Sequence, residues 1–309
     1  MAVLITGGTG FIGSFVVRSL LEIGEMPVVL DIGEIGDPLR DFIGKFVHVK
    51  GGVTDFDLLV RTIDNYRINR VIHMAAFLQF GCERDPQKAV EVNVQGTLKV
   101  LEASRSTKIK KIVFASSVAV YGPQTGLITE ESPICPDLTL YGATKILGES
   151  LLERYHRIYS IPFIALRYGG VYGPGEVRSS GMAEVTKKIE STILGKDVMI
   201  EDVGAEDRRN FTFVKDAAQA TVKALFTEKN IHKVFNITGG EDNYITSNEF
   251  HRIIKKLFPS AGEAMFRGKG PDQGKLDISL ARTELGYCPE YSLERGIQED
   301  IDFFLSHKK

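Results

Sequence analysis

The sequence predicts an α/β fold, a doubly wound parallel sheet with a small C-terminal lobe. Three observations carry that expectation. Short β-branched runs alternate with longer amphipathic stretches through roughly the first half of the chain. The first run leads into a glycine-rich turn and then a helical pattern. Beyond Arg167 the alternation stops, and glycine and charge become prominent. Strand–helix alternation at this spacing implies parallel pairing through right-handed crossovers, with helices on both faces.

In chain order, strands are expected at 3–6, 27–31, 46–49, 70–74, 111–116 and 162–167, with helices near 11–24, 55–66, 86–106 and 140–158. A further strand at 233–238 is expected to rejoin the sheet. One helix is expected near 182–194, and 245–309 reads as two short helices and a loop rich in Gly and Lys. Residues 1–167, with returning segments near 211–240, then make a Rossmann-like domain, and 168–210 with 241–309 make the lobe.

A chain of 309 residues with 43% hydrophobic and 25% charged content suits an ordinary globular core. The formal net charge is −2 and no long block of one sign occurs, so no nucleic-acid or anionic-membrane surface is expected. Cys82, Cys135 and Cys288 are odd in number and far apart, which fits a reducing compartment better than a disulfide framework or zinc cluster. The apolar run 2–5 is too short for a signal-peptide core or a membrane span, and the expected location is cytoplasmic.

Residues 7–14 read GGTGFIGS between the first strand and the first helix. Gly7, Gly10 and Gly13 permit a tight turn and close approach of backbone to a pyrophosphate. Phe11 and Ile12 open a helix whose free N–H groups and dipole favour an anion. Asp31 ends the next strand, 18 residues past Gly13. A carboxylate there accepts from an adenosine ribose hydroxyl and repels a 2′-phosphate. No arginine immediately follows, so the expected cofactor is NAD rather than NADP. A structural turn beside an ordinary surface Asp is the alternative.

Within LYGATKILGE, Tyr141 and Lys145 lie four apart, on one face of a helix. An ammonium beside a phenol favours the phenolate and lowers its pKa from the ordinary ~10. A phenol tuned in this way can serve as general base and acid. Ser117, at the carboxyl end of the fifth strand, lies where ligands bind in open α/β sheets and can hydrogen-bond the reacting oxygen.

Several segments occur together: the GGTGFIG turn, VIHMAA (71–76), NVQGT (93–97), FASSVAVYG (114–122), YGATK (141–145) and LRYGGVYGPG (166–175). NFTFVKDAAQA, FNITGGE and DISLARTELGY follow in order, so the pattern spans nearly the whole chain. It resembles the extended short-chain dehydrogenases/reductases, of the NAD-dependent nucleotide-sugar epimerase/dehydratase type. The resemblance implies catalytic roles for Ser117, Tyr141 and Lys145, with Ser117 rather than Ser116 in the family position. It implies cofactor contacts from Val53, Met74, Ala75, Ala76, Asn93 and Tyr168, and a homodimer through the helices at 86–106 and 140–158. Core packing is the plainer account of the apolar ones. One departure is Gly52, where the family often has an acid facing adenine.

The residues between Ser117 and Tyr121 are Val118, Ala119 and Val120. Dehydrating relatives usually carry an Asp-Glu pair there, and decarboxylating ones a Glu; these three side chains cannot protonate anything. Epimerisation through a transient ketone is the leading expectation, on a sugar held as its nucleotide. Arg209, in the family's R-D-F-V-H-V position, is the first candidate to bind a diphosphate, and Arg267 a weaker second. Gly170 stands where nucleotide-sugar members carry an asparagine, and Gly169 replaces a larger residue. Ser179 or Ser180 are candidate substitutes for a second missing asparagine. A competing expectation is therefore an NAD-dependent dehydrogenase for a free sugar, sugar acid or other secondary alcohol, releasing NADH. A catalytically silent NAD-binding scaffold is the third. His73 reads as a core histidine, the six histidines show no metal spacing, and Cys82 reads as a bystander.

Overall fold

The computed structural model describes residues 2–175, 191–228, 233–271 and 273–306. Seven parallel strands form its centre: β1 (Ala2–Thr6), β2 (Met26–Asp31), β3 (Val47–Lys50), β4 (Arg70–His73), β5 (Lys111–Ser117), β6 (Phe163–Tyr168) and β7 (Val234–Ile237). Their order across the sheet is β7-β6-β5-β4-β1-β2-β3, so the doubly wound fold is confirmed. Each expected strand of this sheet is found with small shifts at its ends.

The central strands lack polar alternation because both faces are covered. Every residue of β1 is buried. Val3 and Ile5 pack with Phe15, Val16 and Leu20 of α1 (Phe11–Glu22) and with the alanines of α5 (Val214–Phe226). Ala2 and Leu4 face the other side, towards Leu59 of α2 (Phe56–Asn65), Val100 of α3 (Gly96–Ser106) and Leu152 of α4 (Leu140–Tyr159). The chain reverses its winding between β1 and β4, which opens a crevice at the carboxyl ends of the strands.

The helix expected over 86–106 is instead Pro86–Ala89, a π turn at Val90–Gln95, and then α3. The wide turn accompanies the inward placement of Asn93, whose carbonyl accepts from the Thr97 hydroxyl at 2.6 Å. The helix expected near 182–194 lies outside the described residues apart from its end, where Thr192–Leu194 forms a 3-10 turn.

Beyond the sheet, Gly170–Tyr172, Arg208–Phe213 and Tyr244–Thr246 form one small sheet, and Val198–Glu201 pairs with Ala264–Arg267. Tyr172, Phe211, Phe213 and Phe250 make the core beneath them. The Phe211 and Phe250 rings stack with centroids 4.6 Å apart. Two helices occupy the tail, Ser247–Leu257 and Leu293–Ser306. The first starts in a capping box between Thr246 and Glu249, which its sequence, T-S-N-E, encodes. Gln273–Leu276 pairs in parallel with Gln124–Ile128, which brings the tail against the crevice.

Candidate active site

The crevice is one cavity of about 940 Å³. Its floor at one end is the turn after β1. Gly7 has φ +76°, and a Cβ there would lie 2.6 Å from the Ala75 nitrogen. A Cβ on Gly13 would lie 2.2 Å from the Gly7 carbonyl. Both contacts are with backbone, so only glycine fits. Gly10 caps α1 without a side-chain hydrogen bond, so the first-turn N–H groups of Phe11, Ile12 and Gly13 face an anion site with the helix dipole behind them.

Asp31 lines the cavity from the end of β2. Its carboxylate accepts from Thr9 N at 3.0 Å and Gly33 N at 2.9 Å, which holds it in place. Val53, Met74, Ala75 and Ala76 also line the cavity, as the sequence led us to expect. Tyr168 reaches it too, but its hydroxyl turns away to Thr221 at 2.7 Å.

At the other end stand Ser117, Tyr141 and Lys145. Tyr141 and Ser117 face the cavity together, close enough for the Ser117 hydroxyl to favour the phenolate. The Lys145 ammonium donates to the Ala115 carbonyl at 2.7 Å and lies 5.4 Å from the Tyr141 ring centroid. Ser117 caps the short turn Val118–Val120 by accepting from Ala119 N at 3.2 Å. Gly142 is needed there, since a Cβ would meet the Ala119 carbonyl at 2.4 Å.

The expected lowering of the tyrosine pKa is not what the protein alone produces. Burial pushes the Tyr141 phenol above its ordinary value, with the Ser117 hydrogen bond pulling it down less strongly. Burial likewise brings Lys145 down to about 8, opposed by Cys82 and Glu149.

Three sequence-derived candidates do not line the cavity. Asn93 is buried, and its amide grips the loop before Gln79: Oδ1 accepts from Phe77 N at 2.6 Å and Nδ2 donates to Phe77 O at 2.9 Å. It also donates to Thr144 Oγ1 at 3.1 Å on α4, so it braces the loop and the helix beside the cavity. Arg267 is exposed on an outlying strand, 3.9 Å from Glu201, and is not brought to the cavity. Arg209 is buried beneath Pro271, which does line it. Its guanidinium lies 3.6 Å from Asp207, and its Nε–H has no hydrogen-bond partner among the described residues.

Gly169 and Gly170 both line the cavity. At Gly169 a Cβ would lie 3.0 Å from the Asn210 carbonyl, so this glycine serves close strand packing more than open space. Ser179 and Ser180 lie outside the described residues. His73 is the satisfied core histidine expected, held between Thr6 at 2.7 Å and Thr97 at 3.0 Å. No cluster of His, Cys, Asp or Glu among the described residues suits a metal.

Some of the wall was not foreseen. Glu83 lines the cavity and accepts from Leu140 N at 2.9 Å, at the start of α4. Asn210 lines it and clamps the tail strand, donating to Gly274 O at 2.8 Å and accepting from Leu276 N at 2.9 Å. No spacing in the sequence links 210 to 274, so this clamp had no local signal.

The family described as "NAD dependent epimerase/dehydratase family" matches residues 3–238. A UDP-glucose 4-epimerase of Mycolicibacterium smegmatis is 30% identical, covering 98% of each chain. The Thermotoga maritima UDP-glucose 4-epimerase, solved with UDP-glucose, superposes with a TM-score of 0.89 at 29% identity, covering 99% of each chain. The Bacillus cereus UDP-glucuronic acid 4-epimerase, solved with UDP-glucuronic acid and NAD, gives 0.88 at 29% identity over the whole of both chains.

Proposed function

The chain belongs to the NAD dependent epimerase/dehydratase family, and from that premise we propose that it inverts a hydroxyl-bearing carbon of a UDP-sugar. The observation that carries this reading is that Ser117, Tyr141 and Lys145 line the same cavity as the glycine cradle, with Lys145 bonded to the Ala115 carbonyl. Gly7, Gly10, Gly13 and the start of α1 fit the pyrophosphate of NAD, and Asp31 its adenosine ribose. NAD supplies the hydride acceptor and then the hydride donor, and its pyridinium charge favours the phenolate.

The chain's own residues move the proton. Tyr141 takes the hydroxyl proton of the sugar as hydride leaves the same carbon. Ser117 hydrogen-bonds the oxygen as it becomes a carbonyl. Lys145, anchored on Ala115, holds positive charge behind the phenol. After the ketone turns over, Tyr141 returns the proton to the oxygen, and the alcohol leaves with the carbon inverted. Val118 and Ala119 line the wall beside Ser117, so the positions where dehydrating relatives carry acids offer none. Arg209 stays the candidate for the substrate diphosphate from its place behind the cavity wall at Pro271, where its Nε–H has no partner among the described residues.

Exposed Val90, Leu98, Leu147, Ile158 and Tyr159 support a homodimer through α3, α4 and the turns before α3. Free cysteines support a cytoplasmic setting, and no described helix is long and apolar enough to cross a membrane.

The test is incubation with UDP-glucose, with product sugar and nicotinamide absorbance followed together. Epimerisation gives UDP-galactose with no net NADH. Stoichiometric NADH with a ketone or acid product would overturn the reading in favour of a dehydrogenase. Turnover of neither UDP-glucose nor UDP-glucuronate would remove the nucleotide-sugar assignment.

A further inference from the structure

Behind the site lies a buried charge network that the reaction above does not use. Tyr141, Lys145 and Glu149 follow one another at single-turn spacing on α4, and the last two grip consecutive residues of β5. Lys145 bonds the Ala115 carbonyl and Glu149 accepts from the Ser116 hydroxyl at 2.5 Å, while Tyr141 lines the cavity with Ser117, the next residue of the strand. Glu149 is also held in a two-pronged pair by Arg167 of β6, with Nε–Oε1 at 2.9 Å and Nη2–Oε2 at 2.6 Å. Both side chains are about nine-tenths buried, at 10% and 11% exposure. The remaining Arg167 nitrogen donates to the Tyr121 hydroxyl at 2.8 Å and to the Glu130 carbonyl at 3.1 Å. The Tyr121 hydroxyl in turn donates to Asn236 Oδ1 at 2.7 Å.

A buried ion pair is a weak source of net stability, because desolvation offsets most of its attraction. Its position is more informative than its strength. The groups facing Lys145 are Tyr141 and Glu149 from its own helix, Cys82 from the helix Gln79–Arg84, and neutral His73 from β4. Glu149 is the carboxylate in that set, and Arg167 is the cation that balances it on the far side.

We propose that Glu149 and Arg167 are positioning residues for the catalytic lysine: Glu149 keeps the buried Lys145 charged, and Arg167 limits how strongly it does so. This rests on the reading of Tyr141, Lys145 and Ser117 as the proton-moving set. The carboxylate one turn below the ammonium stabilises it in a site where burial opposes charge. The guanidinium draws that carboxylate onto β6 and fixes Ser116, and so the carbonyl and hydroxyl on either side of it.

Two substitutions break the same ion pair and are expected to act in opposite directions. In Glu149→Gln the neighbouring charge left behind is positive, so the alkaline limb of the kcat/KM profile moves down by about one pH unit. In Arg167→Gln it is negative, and the limb moves up. Arg167→Lys, which keeps the charge, leaves the limb in place. Lys145 ionisation is read independently by its rate of modification with an amine reagent across pH, using peptide mass, and this needs no turnover. A purely structural pair would lower the melting temperature in both single variants and move the limb in neither, or in the same direction in both; either result overturns the proposal. If a single variant does not fold, the Glu149→Gln/Arg167→Gln double variant, which buries no unpaired charge, carries the test. Its Lys145 should titrate below that of the wild type; an unchanged titration overturns the proposal. If UDP-sugars are not turned over but the modification rates shift as stated, the functional reading fails and the charge relationship stands.

Discussion

Lys145 donates to the carbonyl of Ala115, two residues before Ser117, so the ammonium is tied to the same strand that presents the Ser117 hydroxyl to the cavity. This ties α4 to β5 and sets the distance between phenol and serine. Replacing Tyr141 by Phe removes the proton carrier and leaves that tie intact. We expect turnover to fall about 10²–10⁴-fold, with the melting temperature nearly unchanged. Product formation by chromatography, with a thermal melt alongside, checks it.

Lys145 sits at about 8, below its ordinary 10.5, because it is buried. The proposed mechanism uses the charged form, so the rate should hold below about pH 8 and decline above it. Stability has the opposite slope over this range. The unfolded chain binds the proton up to the ordinary lysine value, so Lys145 contributes stability that increases as pH rises from about 8 towards 10.5. Rate profiles and denaturant midpoints measured at matched pH should therefore diverge.

Gly13 admits no side chain, since its Cβ would press on the Gly7 carbonyl at 2.2 Å. Gly13→Ala must shift backbone on both sides of the cradle. The expected cost is about 1–3 kcal/mol of stability, with NAD binding weakened at least tenfold by calorimetry. Unchanged NAD affinity would remove the cradle from the cofactor assignment.

Asp31 is held by two backbone N–H groups and would face a 2′-phosphate at close range. Asp31→Asn keeps an acceptor and removes the charge. NAD affinity should fall and NADP affinity should rise, narrowing the preference by about tenfold, as expected for roughly 1.4 kcal/mol of repulsion lost. Titration with both dinucleotides measures the ratio.

His73 is brought down to about 3 by burial and by the charge on Lys145. It should stay neutral through the working range, with a flat imidazole C–H shift by NMR above about pH 4.5. The unfolded chain binds this proton below the ordinary 6.5, so the stability it contributes is present above 6.5 and is lost as pH falls towards 3.

The sheet was legible because its signals are local. β1 is a run of five buried residues, and a strand–glycine–helix turn needs no distant partner to be recognised. Tyr141 and Lys145 were legible for the same reason, since one helical turn separates them. The bracing role of Asn93 was not legible. Its side chain spans from Phe77 to Thr144, and a contact of that range leaves no periodic trace. The lobe was the least legible part. Its strands are three to six residues long, and their pairing is set by packing on Tyr172, Phe211 and Phe250. Glu149 could have been found, because it continues the spacing that begins at Tyr141.

The clamp of Asn210 on Gly274 and Leu276 has a temporal consequence. A nascent chain emerging from the ribosome can assemble the nucleotide cradle long before the tail has been translated. The wall beside Gln124–Ile128 is finished only when Gln273–Leu276 arrives. Chains stalled between these two points lack that strand, and the cavity stays open along the edge it would close.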